Sequence, residues 1–401
     1  MDKQSQEWYS KIYMKSEIDL ISQILGEYNK GKIKLTVKEC LNYLEAILFN
    51  LKPGDDNIGL LLSNDKFQTG ADYVSEKDRE QSDINIHLTN EHIGQIKLFF
   101  GELLFLTLNH KKSKNILYAG SAPGIHLPLL FEMFPNHSFY LVDPNLFVFK
   151  LRYKPYKLIY ADDRDLENIQ KYYNNVIDIR RTYFTDEMAH EYKNIFREDG
   201  CLFISDIRTI TLEDRANETT EEKVMKDHNM QNNWVDILKP KATSLKFRGL
   251  FTDSKFVTDN NIMDIEYYDG NIYKQIFAGK KSSETRLFIN EDKLDKPMNK
   301  FNMKDFENKL FYHNMNIRTK KIVSNIKNPF LFKNGYYDGI VSYVILWKFL
   351  KNSIEDNDDN EILKKLNDYI ERIHNFKLGV NINIYYNYYN IIRGLIIDDD
   401  I

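Results

Sequence analysis

Four charged residues stand in strongly apolar surroundings, and their types suit the handling of a proton. Lys97 lies between Ile96 and Leu98, and Asp206 follows the run Cys201-Leu202-Phe203-Ile204-Ser205. Lys246 sits inside Ala242-Thr243-Ser244-Leu245-Lys246-Phe247, and Glu284 precedes Thr285-Arg286-Leu287-Phe288-Ile289. Any one of them alone is more often a snorkelling or ion-paired side chain than a catalyst. Two lysines and two carboxylates brought to one place could hold one lysine neutral and oriented to deprotonate a ribose hydroxyl.

A second group of residues suits a bound nucleoside. The strand-like run Asn115–Gly120 enters the turn Gly120-Ser121-Ala122-Pro123-Gly124 and then a helix with Leu127, Leu129, Leu130 and Met133. Glycines there let the backbone approach a ligand closely. Asp143 ends the next strand, Phe139-Tyr140-Leu141-Val142-Asp143, where it can accept hydrogen bonds from both hydroxyls of a ribose. A dinucleotide fingerprint needs Gly-x-Gly-x-x-Gly, whereas Gly120 and Gly124 have only three residues between them. Pro123 also lacks the N–H that a pyrophosphate would use. The pattern favours S-adenosylmethionine over a nicotinamide dinucleotide, and a purely structural strand–helix turn is the alternative.

These residues need elements to carry them, and the chain has the material. Its 401 residues are 42% apolar and 28% charged, enough to bury a sizeable core. No apolar run reaches the roughly 18 residues of a membrane span, and no secretory signal opens the chain; neither a membrane nor a secreted protein is expected. Cys40 and Cys201 stand far apart, without metal-ligand spacing, so neither a zinc site nor a disulfide scaffold is expected, and a reducing compartment is. The net charge of −4 confines any nucleic-acid site to a local patch. Aromatics, at 13%, serve as core filling or as platforms for bases.

The first 85 residues read as a helical extension, with stripes at Ile18–Ile24 and at Val37, Cys40, Leu41, Leu44 and Leu48, and with a polar stretch over 68–85. A buried helix is expected over about Glu91–Leu108, capped by Thr89 or Asn90. From there strands and helices alternate: strands at 176–179 and 201–205, with a helix near 187–196 between them. A helix near 221–238 and strands at 242–247, 274–278 and 285–289 follow. This is the doubly wound α/β pattern of a Rossmann-like fold with a mostly parallel sheet. Helix returns after about 305, at 340–350 and 361–373. The expected division is a helical extension over 1–85, a core over 86–345 and a helical extension over 346–401.

The chain resembles the poxvirus cap-specific mRNA (nucleoside-2'-O-)-methyltransferases, which also serve as the stimulatory subunit of the viral poly(A) polymerase. The matching segments are Gly94-Gln95-Ile96-Lys97, Gly101-Glu102-Leu103, Tyr118-Ala119-Gly120-Ser121-Ala122-Pro123-Gly124, Ile204-Ser205-Asp206-Ile207-Arg208, Ser244-Leu245-Lys246-Phe247-Arg248, Glu284-Thr285-Arg286-Leu287 and Phe306-Glu307-Asn308-Lys309. They keep their order over roughly 90–345.

The resemblance implies an S-adenosylmethionine-dependent enzyme with a Lys-Asp-Lys-Glu tetrad at Lys97, Asp206, Lys246 and Glu284, Lys246 acting on the hydroxyl. It implies cofactor contacts at Gln95, Tyr118, Gly120, Ser121, Pro123, Gly124 and Asp143, with Phe184 and Thr185 near the adenine. It places Arg208 and Arg248 at RNA phosphates, and Phe251, Asp253 and Glu307 around 7-methylguanine, with Tyr73 as the second aromatic. Asn145 stands where the family has an arginine. The implied partners are 7-methylguanosine-capped mRNA and a viral poly(A) polymerase catalytic subunit or a capping enzyme, with no metal and no membrane. The implied location is the host cytoplasm, at the viral factory, and the virion. Two other functions remain open on sequence: a non-catalytic RNA-binding processivity subunit, and a small-molecule methyltransferase.

Overall fold

Strands buried on both faces read as continuous apolar runs, and Ile116-Leu117-Tyr118-Ala119 and Leu202-Phe203-Ile204 are such runs, each residue fully or almost fully buried. They form the centre of the sheet. The computed structural model describes residues 25, 35–49, 93–150, 158–161, 165–210, 219–279, 282–314, 318, 337–351, 354 and 358–374. The expected stripe at 18–24, the polar stretch 68–85, the cap at Thr89 or Asn90, and Tyr73 lie outside the described residues.

In chain order the elements are α1 (Val37–Phe49), α2 (Ile93–Asn109), β1 (Asn115–Ala119), α3 (Leu127–Met133), β2 (Ser138–Val142), β3 (Phe147–Lys150), β4 (Leu158–Ala161), α4 (Leu166–Gln170), β5 (Val176–Arg180), α5 (Asp186–Phe196), β6 (Leu202–Ser205) and α6 (Thr220–Leu238). Then come β7 (Ala242–Phe247), α7 (Lys255–Asp259), β8 (Asp264–Tyr267), β9 (Asn271–Lys274), β10 (Thr285–Asn290), β11 (Asn299–Asn302), α8 (Met303–Tyr312), α9 (Tyr337–Leu350) and α10 (Asp359–His374).

Seven strands form one sheet in the order β5-β2-β1-β6-β7-β10-β9. The pairs from β5 through β7 are parallel, while β10 runs antiparallel to both β7 and β9. The strand order reverses between β1 and β6, and ligands of such sheets bind at that switch point, beyond the carboxyl ends of the strands. The glycine turn follows β1, Asp143 follows β2 and Asp206 follows β6, so the sheet delivers all three to one edge.

Two small antiparallel pairs, β3–β4 and β8–β11, were not apparent from periodicity. The strand expected over 274–278 lies earlier, at Asn271–Lys274. Phe277 adopts a left-handed φ of 59°, which breaks an extended path just beyond it. Cys40 and Cys201 are free and buried, and burial pushes each thiol up to about 12, which leaves neither as a nucleophile near neutral pH.

The described terminal helices share one apolar cluster with α2 and the β1 side of the sheet. Trp347 of α9 is fully buried and donates from Nε1 to Asn42 Oδ1 of α1 (3.0 Å). Glu45 of α1 accepts from Lys348 (2.7 Å) and Lys351 (2.9 Å). The α1 N-terminus donates through Val37 N to Asp359 Oδ2 at the start of α10 (2.9 Å). Leu366 of α10 is wholly buried in this cluster. Leu366→Ala should therefore cost about 2–5 kcal/mol of unfolding free energy, the scale for a deleted core leucine. Urea denaturation is the check, and a loss under about 0.5 kcal/mol, the range of surface substitutions, would mean that α10 does not pack here.

Candidate active site

Asp206 and Glu284 tie three cations from three different elements into one largely buried cluster, the lysines and carboxylates keeping 11–17% of their side chains exposed. Lys97 of α2 donates to Glu284 Oε1 (2.6 Å). Lys246 of β7 lies 3.2 Å from Asp206 Oδ1 and 3.5 Å from Glu284 Oε2. Arg286 of β10 donates to Asp206 Oδ1 (2.5 Å) and stands 3.6 Å from Glu284. Antiparallel pairing sets Arg286 directly opposite Lys246, so the two cations share a face and need the carboxylates between them. All four expected catalytic residues are brought together. Arg286 is a fifth member that sequence reasoning passed over, although it is a charge inside an apolar strand just as Lys246 is.

Burial pushes the Lys246 ammonium below the ordinary lysine value; Asp206 and Glu284 oppose that shift, while Arg208 and Lys97 reinforce it. Burial alone would raise Glu284, but Lys246, Lys97 and Arg286 outweigh it and hold the carboxyl well below the usual range. Asp206 is lowered in the same way, with Arg286 and Lys246 overcoming its burial. The cluster thus favours charged carboxylates beside a lysine that gives up its proton more readily than usual.

The glycine turn adjoins this cluster. Gly120 has a φ of +80°, and a Cβ there would lie 2.9 Å from the backbone carbon of Asp206 and the backbone nitrogen of Ile207. Only glycine permits that approach. Gly124 has a φ of +66°, and its Cβ would meet Leu127 at 2.7 Å. Ser121 is buried, and the Pro123 carbonyl accepts from Val148 N (2.8 Å). Asp143 is buried and accepts from Ala122 N (3.1 Å), Asn145 N (2.8 Å) and the Asn145 side chain (3.0 Å). Burial raises its pKa, and those hydrogen bonds work against the rise. Its two oxygens offer about four lone-pair sites, so room remains for one further donor such as a ribose hydroxyl. These residues fit the ribose and methionine ends of S-adenosylmethionine. Asn145 serves here to fix Asp143.

Gln95 and Tyr118 reach that turn through a network not foreseen from sequence. Gln95 Oε1 accepts from Ile125 N (3.0 Å) and meets His126 Nδ1 (2.8 Å). His126 Nε2 meets Glu102 Oε2 (2.8 Å), and the Tyr118 hydroxyl donates to Glu102 Oε1 (2.5 Å). Burial, followed by the Glu102 charge, raises the Tyr118 hydroxyl well above its ordinary value. The criterion that singles out Lys97, a charge in an apolar helix, applies equally to Glu102. Phe184 is buried among Tyr192, Phe203 and Trp234. Thr185 is exposed and caps α5, its hydroxyl accepting from Met188 N (3.3 Å).

The described residues expected at RNA and cap lie in the loops after β6 and β7 and on α8. Arg208 has buried terminal nitrogens that make no hydrogen bond among the described residues, with Asp227 of α6 3.5 Å away. Asp227 itself accepts from Thr209 N (3.2 Å) and Thr209 Oγ1 (2.7 Å). Arg248 is buried against Glu221 of α6, and its guanidinium stands 4.5 Å from the centre of the half-buried Phe251 ring. Asp253 is exposed, just before α7, whereas Glu307 of α8 is wholly buried. A Cβ on Gly249 would lie 3.2 Å from Phe306, so the loop bearing Phe251 rests on the helix that carries Glu307. Glu221 and Asp227 escaped sequence reasoning because α6 reads as an ordinary polar helix.

Sheet order, switch-point glycine turn and acid after β2 define a Rossmann-like methyltransferase fold. The chain belongs to the poly A polymerase regulatory subunit family, which matches residues 67–376. It is 32% identical over 287 residues to the "Cap-specific mRNA (nucleoside-2'-O-)-methyltransferase" of Fowlpox virus (strain NVSL), covering 68% of this chain and 82% of that one. It is 28% identical over 280 residues to the protein of the same name from Myxoma virus (strain Lausanne), covering 68% of this chain and 74% of that one. Bluetongue virus VP4, a solved structure described as a multifunctional RNA-capping production line, aligns at 13% identity over 73% of this chain and 41% of VP4. The TM-score of 0.36 is too low to inform fold or chemistry.

The cluster generates a stability prediction. Glu284 is depressed in the folded state, so its ionisation stabilises the fold above the ordinary carboxylate range, and that stabilisation is lost as pH falls through the depressed value. Glu284→Gln should cost about 3–5 kcal/mol near neutrality by leaving buried lysines without a counter-charge. Its remaining stability should also fall less steeply than that of wild type as pH drops below about 4.5, the ordinary carboxylate value. Urea denaturation from neutral pH down through that range measures both. Parallel profiles would show that Glu284 does not carry the charge.

Proposed function

We propose that the protein transfers a methyl group from S-adenosylmethionine to the ribose 2'-hydroxyl of the first transcribed nucleotide of 7-methylguanosine-capped mRNA, converting cap-0 to cap-1. The observation that carries this reading is the contact of Gly120 with the Asp206 backbone, which joins a cofactor-type turn to a proton-handling cluster. The names of the poxvirus relatives support the same activity.

S-adenosylmethionine, when bound, supplies an electrophilic methyl group on a sulfonium. Asp143 would accept a hydrogen bond from a hydroxyl of its ribose, the turn from Gly120 to Gly124 would hold its backbone-facing side, and Gln95 and Tyr118 brace that turn. Phe184 and Thr185 border the adenine. Lys246, held between Asp206 and Glu284, accepts a hydrogen bond from the 2'-hydroxyl when neutral and takes its proton as the oxygen attacks. Lys97 disfavours the charged form of Lys246 and anchors Glu284. Fixed alignment of the hydroxyl with the methyl group supplies much of the rate. Arg208, whose guanidinium makes no hydrogen bond among the described residues and has Asp227 at 3.5 Å, would pair with RNA phosphate. Phe251 stacks on the cationic methylated base while Asp253 and Glu307 accept from its edge. The place of action would be the host cytoplasm, at the viral factory, and the virion.

The family description favours a second role beside the first: an RNA-binding processivity subunit for a viral poly(A) polymerase. Methyl incorporation into cap-0 RNA, compared with uncapped RNA, tests the enzymatic role. Wild-type protein that methylates neither would overturn the cap-methylating role and leave the processivity role or a small-molecule substrate.

Lys246→Ala should abolish transfer while S-adenosylmethionine still binds. Lys246→Arg should fail too, because a guanidinium keeps its proton near neutral pH; full activity in the arginine variant would remove Lys246 from proton transfer. Asp143→Ala should weaken S-adenosylmethionine binding by about 1–3 kcal/mol, the scale for a buried polar partner left unpaired. Calorimetry reads that loss directly, and an unchanged dissociation constant would mean the ribose is held elsewhere.

A further inference from the structure

The loop between β9 and β10 ends on Glu284 and is tied at two places to the C-terminal part of the chain. Glu284 N donates to the Ser282 hydroxyl (3.2 Å), and the Ser282 carbonyl accepts from Asn314 Nδ2 (2.7 Å). Asn314 Oδ1 in turn accepts from Arg318 Nη1 (2.9 Å). The other two guanidinium nitrogens donate to Asp338 at the start of α9, Nε to Oδ1 (2.8 Å) and Nη2 to Oδ2 (2.6 Å). Asp338 Oδ2 also accepts from the backbone N–H of Phe277, near the other end of the loop (3.0 Å). Gln275, the first residue of the loop, closes the circuit by donating from Nε2 to Glu284 Oε1 (3.2 Å).

Phe277 shows that this arrangement is held against a local cost. Its φ of 59° is one that a bulky side chain rarely adopts. Such a conformation persists only where the surroundings over-determine it. Here Asp338 takes the N–H, and the ring stacks on Phe100 of α2, with 5.7 Å between centres and 28° between planes. That is the helix which brings Lys97 to Glu284. Arg318 and Asn314 are buried. A buried ion pair is weak evidence for stability, because apolar residues of similar volume often serve as well. What a two-pronged arginine–carboxylate pair supplies is fixed geometry.

We infer that Arg318, Asn314 and Asp338 are positioning residues for Glu284, holding its carboxylate against Lys246 from outside the sheet. The loop is fastened near both ends to one buried pair, so Glu284 cannot retreat from Lys246 without disturbing that pair. The charged groups facing Lys246 are Asp206 and Glu284, which favour its ammonium form, and Arg208 and Lys97, which oppose it. Of these four, Glu284 alone sits on the clamped loop. As a statement about catalysis the inference rests on the methyl-transfer reading above; as a statement about where Glu284 stands it does not.

The test compares three forms of the full chain: wild type, Ser282→Ala, and the double variant Arg318→Gln with Asp338→Asn, which leaves no buried charge unpaired. Lys246 is followed by NMR titration in protein labelled at the lysine ε-carbon. Both variants should titrate below wild type, the double variant by about one pH unit. That is the scale for a carboxylate that retreats from 3.5 Å to about 5 Å at an effective dielectric of about 20. With saturating S-adenosylmethionine and capped RNA, kcat should fall by up to about 100-fold, the cost of roughly 1 Å of misplacement, while both KM values stay near wild type. A lower melting temperature with an unmoved Lys246 midpoint would make the pair a structural anchor and overturn the inference. Should the double variant fail to fold, Ser282→Ala decides alone, and a wild-type midpoint there overturns it equally. Shifted midpoints in a protein whose wild type methylates no capped RNA would bring down the methyl-transfer reading and leave the clamp on Glu284 standing.

Discussion

Asp206 and Glu284 carry two negative charges into the end of a buried sheet, and the surrounding elements keep those charges in place. Lys97, Lys246 and Arg286 converge on them from α2, β7 and β10. Each cation would be costly to bury alone, and each carboxylate would take up a proton without them. The constraint is mutual, so the cluster locks the relative positions of elements far apart in sequence. It also accounts for the single antiparallel insertion in the sheet. Placing β10 beside β7 brings a second cation across from Lys246, and the loop after β6 supplies the anion that separates the two.

The ligand side of the sheet is tied to the same cluster by close approach. Gly120 allows the turn after β1 to touch the backbone that carries Asp206, so the turn and Lys246 share one frame. Beneath the turn, His126 and Glu102 couple α2 to it, which means the helix that positions Lys97 also positions the cofactor side. On the opposite flank, α6 ties down the loops after β6 and β7. Glu221 holds the Phe251 backbone, Asp227 holds the Arg208 loop, and the Gln231 side chain donates to the Lys246 carbonyl (3.1 Å).

Much of this was legible in the sequence, for identifiable reasons. Buried parallel strands announce themselves as apolar runs, so β1, β2, β6 and β7 fall within a residue or so of expectation. Charges inside such runs are conspicuous, which is why Lys246, Asp206 and Glu284 could be named. Arg286 and Glu102 carry the same signal and could have been. The partners on α6 could not. Glu221 and Asp227 stand in a helix whose composition is that of a solvated surface, and only the tertiary fold turns that face inward. The strand expected at 274–278 failed for a local reason, the left-handed turn at Phe277, which no periodicity reports. Arg248 shows a further limit: its type suited a phosphate, and only its distance to Glu221 discloses a prior commitment.

The central claim is that the cluster, and not the lysine by itself, sets the protonation of Lys246. The direct measurement is an NMR titration of the Lys246 side chain in protein labelled at the lysine ε-carbon, assigned with Lys246→Arg. Lys246 should titrate below the ordinary lysine value, and lower still in Asp206→Asn, where a neighbouring anion that favours its charged form is gone. A Lys246 that titrates at or above the ordinary value, and does not move in Asp206→Asn, would contradict the account.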